Sequence, residues 1–251
     1  MKLSVVMSVR NCAPTVARAV ESVLLQTLPP NEVIVIDDGS TDSTPEILSR
    51  YPVRLLHGKE CVGQGTRLNQ AVANARGELI ARMDGDDLSH PDRFEKQVAY
   101  LDSHPEVDLV GSSILLMNAS GRKIGEHQYP ETHEQICYLP WCRFRLPHPT
   151  WMGRAGWFRR NPYWSRKSED FELLLRTYRT SRFANVTEPL LTYRDVFSLQ
   201  KALSYRAATR AALRKHGQLK GIPLSLGLTF QDCFFSALGL KYLLESHRMK
   251  L

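Results

Sequence analysis

Two short apolar runs in this chain each break off into a turn crowded with carboxylates, and that repetition narrows the possible folds more than any other feature. Glu32-Val33-Ile34-Val35-Ile36 leads into Asp37-Asp38-Gly39-Ser40, and Leu79-Ile80-Ala81-Arg82-Met83 leads into Asp84-Gly85-Asp86-Asp87. Carboxylates this close repel one another unless a cation lies among them, and an all-oxygen set suits Mg2+ or Mn2+ better than zinc. A polar turn capping the next helix is the plain alternative, because Asp and Gly are common turn residues.

The surrounding pattern places both turns at strand ends. Leu3–Val9 and Glu32–Asp37 are β-branched runs, and Val16, Ala19, Val20, Val23 and Leu24 recur between them at helical spacing. The chain therefore opens with a β-α-β unit. A helix is expected from Ser43, with Glu46 completing a capping-box pattern, and others over 64–75 and from His90-Pro91 to about Ser103. Strands are expected over 78–83 and 108–116, with a turn at Ser120-Gly121. Residues 138–167 read as a loop-rich stretch, followed by a helix over 168–179 and strands over 182–187 and 190–194. The alternation predicts an α/β fold, a mostly parallel sheet with helices on both faces, in which ligands gather beyond the carboxyl ends of the strands.

At 251 residues the chain suits one domain with an appendage, and its 43% hydrophobic and 24% charged residues are those of a soluble globular protein. Five cysteines without a Cys-x-x-Cys pair give neither a disulfide framework nor a zinc spacing at Cys137 and Cys142, so a reducing cytoplasm is expected. The run Leu3–Val9 is too short to span a membrane and reads as a first strand.

The charge is unevenly placed. From Val196 to Leu251 there are nine Lys/Arg against Asp232 and Glu245, a net of +7 that equals the formal charge of the whole chain. Residues 196–251 read as a basic amphipathic helical tail, broken at Gly217 and at Gly221–Pro223. Its apolar run over 222–244 carries Gln231 and Asp232 near the middle; a charge at the centre of a spanning helix costs about 2.5 to 3.5 kcal/mol, so an interfacial or packed helix is expected. With Arg206, Arg210, Arg214 and Lys215 at helical spacing, residues 198–251 could lie on an anionic membrane, at about 1 kcal/mol per basic residue near the surface. Packing on the protein's own core or in a homodimer is the alternative. Nucleic acid is not expected, because the tail lacks interleaved aromatics.

The order and spacing of several segments resemble the family 2 glycosyltransferases of the GT-A fold over residues 2 to 195. These are Ser4-Val5-Val6-Met7-Ser8-Val9-Arg10-Asn11, Glu21 to Thr27, Val35-Ile36-Asp37-Asp38-Gly39-Ser40-Thr41-Asp42, Gly77 to Asp87, His148-Pro149-Thr150, Ser168-Glu169-Asp170-Phe171 and Leu191-Thr192-Tyr193-Arg194. The resemblance implies a nucleotide-sugar-binding half over about 1–110 and an acceptor-binding half over about 111–195. Asp38 would bond the nucleobase, with Ser8 lining the same pocket. Arg10 stands where many relatives carry Tyr, so stacking on the base would be through its guanidinium plane or absent, which weakens any inference that the base is uracil. Asp84 and Asp86 match the Asp-x-Asp motif, Asp84 near the ribose and metal shell and Asp86 holding Mn2+ or Mg2+. Asp87 would orient the turn or cap the next helix.

Asp170 matches the family's general base, with N-terminal helix charge as its plain alternative, and Glu169 is a lesser candidate. His148 and Trp151 are candidates for the acceptor site or else core residues. Arg143, Arg145, Arg166 and Lys167 would grip a diphosphate or form a solvated basic loop. The absent Gln-x-x-Arg-Trp signature implies one sugar per encounter. The expected activity is inverting, metal-dependent sugar transfer from a nucleoside diphosphate sugar, a UDP-sugar favoured, to a saccharide acceptor, lipid-linked acceptors included, in cell-surface polysaccharide assembly. The setting would be cytoplasmic, peripheral on the inner face of the cell membrane. Nucleotidyl transfer and a catalytically silent binding protein of the same fold remain the alternatives.

Overall fold

The structure, a computed structural model, describes residues 1–164, 168–195, 207 and 209–216. Its first half runs β1 (Leu3–Val9), α1 (Val16–Leu24), β2 (Glu32–Asp37), α2 (Thr44–Leu48), β3 (Arg54–His57), α3 (Gln64–Asn74), β4 (Leu79–Met83), β5 (Leu88–Ser89) and α4 (Arg93–Ser103). The second half runs β6 (Leu109–Met117), β7 (Lys123–His127), α5 (His133–Ile136), a 3-10 turn at His148–Thr150, β8 (Met152–Arg154), α6 (Ala155–Arg160), α7 (Glu169–Thr177) and β9 (Phe183–Arg194). Residues 209–215 are helical as well.

One sheet orders these strands β3-β2-β1-β4-β8-β6-β9-β5, with β7 pairing β6. β3, β2, β1 and β4 are mutually parallel, and so is the long β6–β9 pair. Antiparallel pairings of β8 with β4 and β6 join the two parallel parts. Successive strand residues point to opposite faces, so Val5, Met7 and Val9 enter one core with Val16, Val20, Val35 and Phe94, while Val6 enters the other with Ile34, Leu68, Trp151 and Trp157. Both faces are covered, which is why β1 and β4 are apolar nearly throughout and wholly buried.

Several expectations change in detail. Ser43 makes no side-chain cap at α2; the Asp42 carboxylate takes the Thr44 N–H at 3.0 Å instead. A capping box exists at Thr132 and Gln135. The stretch over 138–167 contains β8 and α6, so it is more regular than its polar, Pro-containing sequence suggests. The two strands expected over 182–194 are one, β9, with its register shifted around Ser113. Of the strands not expected, β5 has two residues, and β3 and β7 are exposed to half-buried and lack an apolar run. Arg166, Lys167, Arg206 and the apolar run over 222–244 lie outside the described residues. Among the described residues no helix is long and apolar enough to cross a membrane.

Gln26 fastens α1 to the segment that follows the second acidic turn. Its amide nitrogen donates to the Ser22 and His90 carbonyls and to Ser89 Oγ, and its amide oxygen accepts the Phe94 N–H at 3.1 Å. Replacing Gln26 by Leu would leave the His90 carbonyl and the Phe94 N–H without that partner at a buried site. A loss of about 1 to 3 kcal/mol in unfolding free energy is expected, read as a lower urea midpoint at unchanged slope.

Candidate active site

The strand order carries β1, β2 and β4 side by side, so their carboxyl ends open on one edge of the sheet. After β1 the chain turns through Asn11, whose φ of +51° is left-handed; its amide N–H donates to Ser40 Oγ at 2.9 Å and its side chain accepts the Thr41 N–H at 2.8 Å. These bonds lock the first turn to the Asp37-Asp38-Gly39-Ser40 turn. Asp38 is buried, and its carboxylate accepts the Val62 and Gly63 N–H groups and Arg67 Nε at 2.8 to 2.9 Å, with Cys61 Sγ beside it at 3.4 Å. Burial alone would raise its pKa, but these donors together hold it below the usual aspartate value. Asp38 thus anchors the start of α3, where Gly63 takes a φ of +96°. Ser8 is buried at the end of β1 beside Ile36, and Arg10 is exposed at the rim.

The second turn is held from four directions. Arg82 is buried in β4 and forks onto both oxygens of Asp84 at 2.6 Å, while Gln64 at the start of α3 donates to Asp84 Oδ1 at 2.8 Å. From the end of β9, Arg194 gives its N–H to Asp87 Oδ1 at 2.8 Å and its Nε to the Asp86 carbonyl at 3.1 Å. Beneath the turn, buried Arg93 donates to the Arg82 carbonyl at 2.9 Å. Burial, with the neighbouring Asp87 charge only partly offsetting it and Arg82 adding to it, lowers the Arg93 pKa to about 9.

Oxygens of Asp84, Asp86 and Asp87 lie within 4.8 Å of one another. Asp87 is fully buried, and its Oδ2 has no hydrogen-bond partner. Burial, followed by the charge of Asp84, raises the pKa of Asp86 and, much more, that of Asp87. An orphaned buried carboxylate oxygen within an all-oxygen cluster is the donor set that a hard divalent cation fits. Asp87 does not cap α4, whose cap residue is Asp92 and which shows no side-chain cap bond. Asp87, expected from the sequence to orient the turn or cap the next helix, is the one of the three whose buried oxygen lacks a partner.

Across from this turn, α7 brings Glu169 and Asp170 in its first turn. Its cap residue Ser168 has a left-handed φ of +51°. Among the described residues, Asn11 and Ser168 are the non-glycine positions with positive φ, and both border the site. Burial, then the Asp170 charge, raises Glu169 to about 7. Burial also raises Asp170, with the Phe171 N–H and the Arg82 charge opposing it. Arg82 thus acts on both acid pairs and is the main site residue that sequence reading passed over. The signal was available: a lone arginine inside a strand buried on both faces.

His148 and Trp151 sit inside the molecule. Trp151 is fully buried, gives its indole N–H to the Leu146 carbonyl at 3.2 Å and packs edge-on against His148. His148 Nε2 bonds Tyr163 Oη at 2.9 Å, and burial, with Arg82 adding to it, holds the imidazole pKa well below its ordinary value. Their faces are filled by protein, so the geometry supports their core alternative. Exposed aromatic surface in this half comes from Tyr138, Trp141 and Trp164.

Comparison with known proteins shows the family. The family model "Glycosyl transferase family 2" matches residues 4–166. The O-antigen biosynthesis glycosyltransferase WbnJ of Escherichia coli is 30% identical over 255 residues, covering 92% of this chain and 95% of WbnJ. EpsE of Bacillus subtilis strain 168, named as a glycosyltransferase, is 32% identical over 239 residues, covering 90% of this chain and 84% of EpsE. The crystal structure of S. aureus TarS 1-349 in complex with UDP-GlcNAc superposes with a TM-score of 0.66 at 21% identity; the match covers 82% of this chain and 62% of that one, and shows a shared fold. With two acidic turns meeting at the parallel strand ends and a family match over more than half its length, the chain belongs to family 2 of the glycosyl transferases and is a glycosyltransferase.

Proposed function

We propose that the protein is an inverting, metal-dependent enzyme that moves one sugar from a nucleoside diphosphate sugar to a hydroxyl of a saccharide acceptor in polysaccharide assembly. The observation that carries this reading is the cluster of Asp84, Asp86 and Asp87, with an unpartnered buried oxygen, set near a second buried acid pair on α7. The polysaccharide setting is supported by the name of WbnJ, and the donor class by the UDP-GlcNAc in the TarS complex.

The donor nucleoside lies along the ends of β1 and β2, within reach of Ser8, Arg10 and the Asp38–Arg67 pair. Asp84, bonded by Arg82, faces the ribose side of the turn, and Asp86 lies on the diphosphate side of it. Asp86 and Asp87, beside Asp84, would hold Mn2+ or Mg2+, which would supply Lewis-acid charge toward the leaving diphosphate. Asp170 accepts the proton of the acceptor hydroxyl as that oxygen bonds the anomeric carbon and the bond to the diphosphate oxygen breaks on the opposite face, which inverts the configuration. Glu169, with its raised pKa, stands beside Asp170 as a proton reservoir. Within the tail over 198–251, residues 209–216 pack on α7, and the basic residues outside that stretch support docking on an anionic membrane surface where a lipid-linked acceptor is presented.

Thermal stabilisation by a panel of nucleotide sugars with and without Mn2+ tests the reading. A shift that needs both metal and one nucleotide sugar is expected in the native chain and is absent in Asp86→Asn. Retained turnover in that variant would remove the metal assignment. Asp170→Asn is expected to lower kcat by about 100- to 10,000-fold with donor stabilisation intact. In the metal-free protein Glu169 binds a proton more tightly folded than unfolded, so between about pH 4.5 and 7 stability falls as pH rises. Glu169→Gln should flatten that slope, measured as Tm against pH.

A further inference from the structure

We infer that the helix at residues 209–215, with His216 after it, is a working part of the catalytic half and positions the acid-bearing end of α7. The inference rests on Asp170 being the general base. α7 has two apolar faces. Leu173 and Leu174 enter the sheet's second core, whereas Phe171 and Leu175, one turn apart, face outward and are buried by Ala212 and Leu213. Between these contacts Glu172, whose side chain is only 2% exposed, accepts a hydrogen bond from His216 Nε2 at 2.8 Å and lies 3.4 Å from Arg176 Nε. Its second oxygen is buried without a partner, so moving His216 away would leave a carboxylate in the interior short of donors.

The same helix reaches the segment leading into α7. The Arg176 guanidinium lies 3.8 Å from the centroid of the Trp164 ring, and Lys215 Nζ lies 5.1 Å from it. Arg176 Nη2 also donates to the Pro162 carbonyl. Both approaches to Glu169 and Asp170, from Trp164 before them and from Phe171 and Glu172 after them, are thereby tied to residues 209–216.

The start of α7 follows a left-handed backbone at Ser168, an uncommon conformation for a non-glycine residue. A general base displaced by about 1 Å loses much of its advantage while the donor pocket, built from β1, β2, β4 and α3, is untouched. His216 and Leu213 are therefore positioning residues for Asp170, and the catalytic unit extends to at least residue 216, past the boundary expected at 195.

The test compares full-length His216→Ala, His216→Gln and Leu213→Ala with the native chain, and runs Asp170→Asn in parallel. His216→Ala and Leu213→Ala are expected to lower kcat by about 10- to 100-fold with the donor KM and the donor-dependent thermal shift unchanged. His216→Gln, which keeps an N–H donor toward Glu172, should recover most of the lost kcat. Native kcat in His216→Ala and Leu213→Ala with Asp170→Asn inactive would overturn the inference. A loss of kcat, donor binding and Tm together, without recovery in His216→Gln, would also overturn it, since it would mark general destabilisation. Full activity in Asp170→Asn would instead remove the assignment of the base.

Discussion

The carboxyl edge of this sheet is organised around one electrostatic requirement. Three carboxylates of a four-residue turn lie within 4.8 Å of one another, Asp87 wholly buried, and two unit charges at about 4 Å interact by about 4 kcal/mol at an effective dielectric constant of 20. Segments far apart in sequence converge on the turn to meet that requirement. Arg82 arrives from the strand itself, Arg93 from the helix below, Gln64 from α3 and Arg194 from the last strand. Even so, one oxygen of Asp87 is left without a partner. That one oxygen is an atom a hard divalent cation would fit.

Arg82 gives this arrangement its asymmetry. It forks onto Asp84, while burial first and the Asp84 charge second raise Asp86 and Asp87 against the opposing charge of Arg82. Its charge also acts against the burial that raises Glu169 and Asp170. One buried guanidinium thus acts on both the acidic turn and the acid pair of α7. The acidic-turn side is an assembly of parallel strands and bonded turns, and the α7 side carries a left-handed cap residue and packs on a helix arriving from beyond β9.

Much of the first half of the chain was legible in the sequence. β1, α1, β2, α3 and β4 fall where the apolar periodicities place them, because strands buried on both faces and helices buried on one leave unmistakable runs. The acidic turns read correctly as strand ends for the same reason. Periodicity said little about residues 138–167, where β8 and α6 are short, or about the joining of 182–194 into one strand across a shifted register. Ser43 and Glu46 fit a capping pattern, yet Asp42 supplies the bond. Trp151 and His148 were open between core and surface because composition does not say which face of a loop turns inward.

The sequence by itself determined the α/β class, the positions of both acidic turns and the family resemblance, since these depend on local periodicity and on residues adjacent in the chain. Tertiary structure alone decided that Asp87 is the orphaned carboxylate, that Arg82 links two acid pairs, that Asp38 is tied to Arg67 and that residues 209–216 brace α7. Burial and partnership are properties of the packed chain: the same aspartate is an ordinary surface acid or a cation ligand according to which distant donors the fold brings within 3 Å of it.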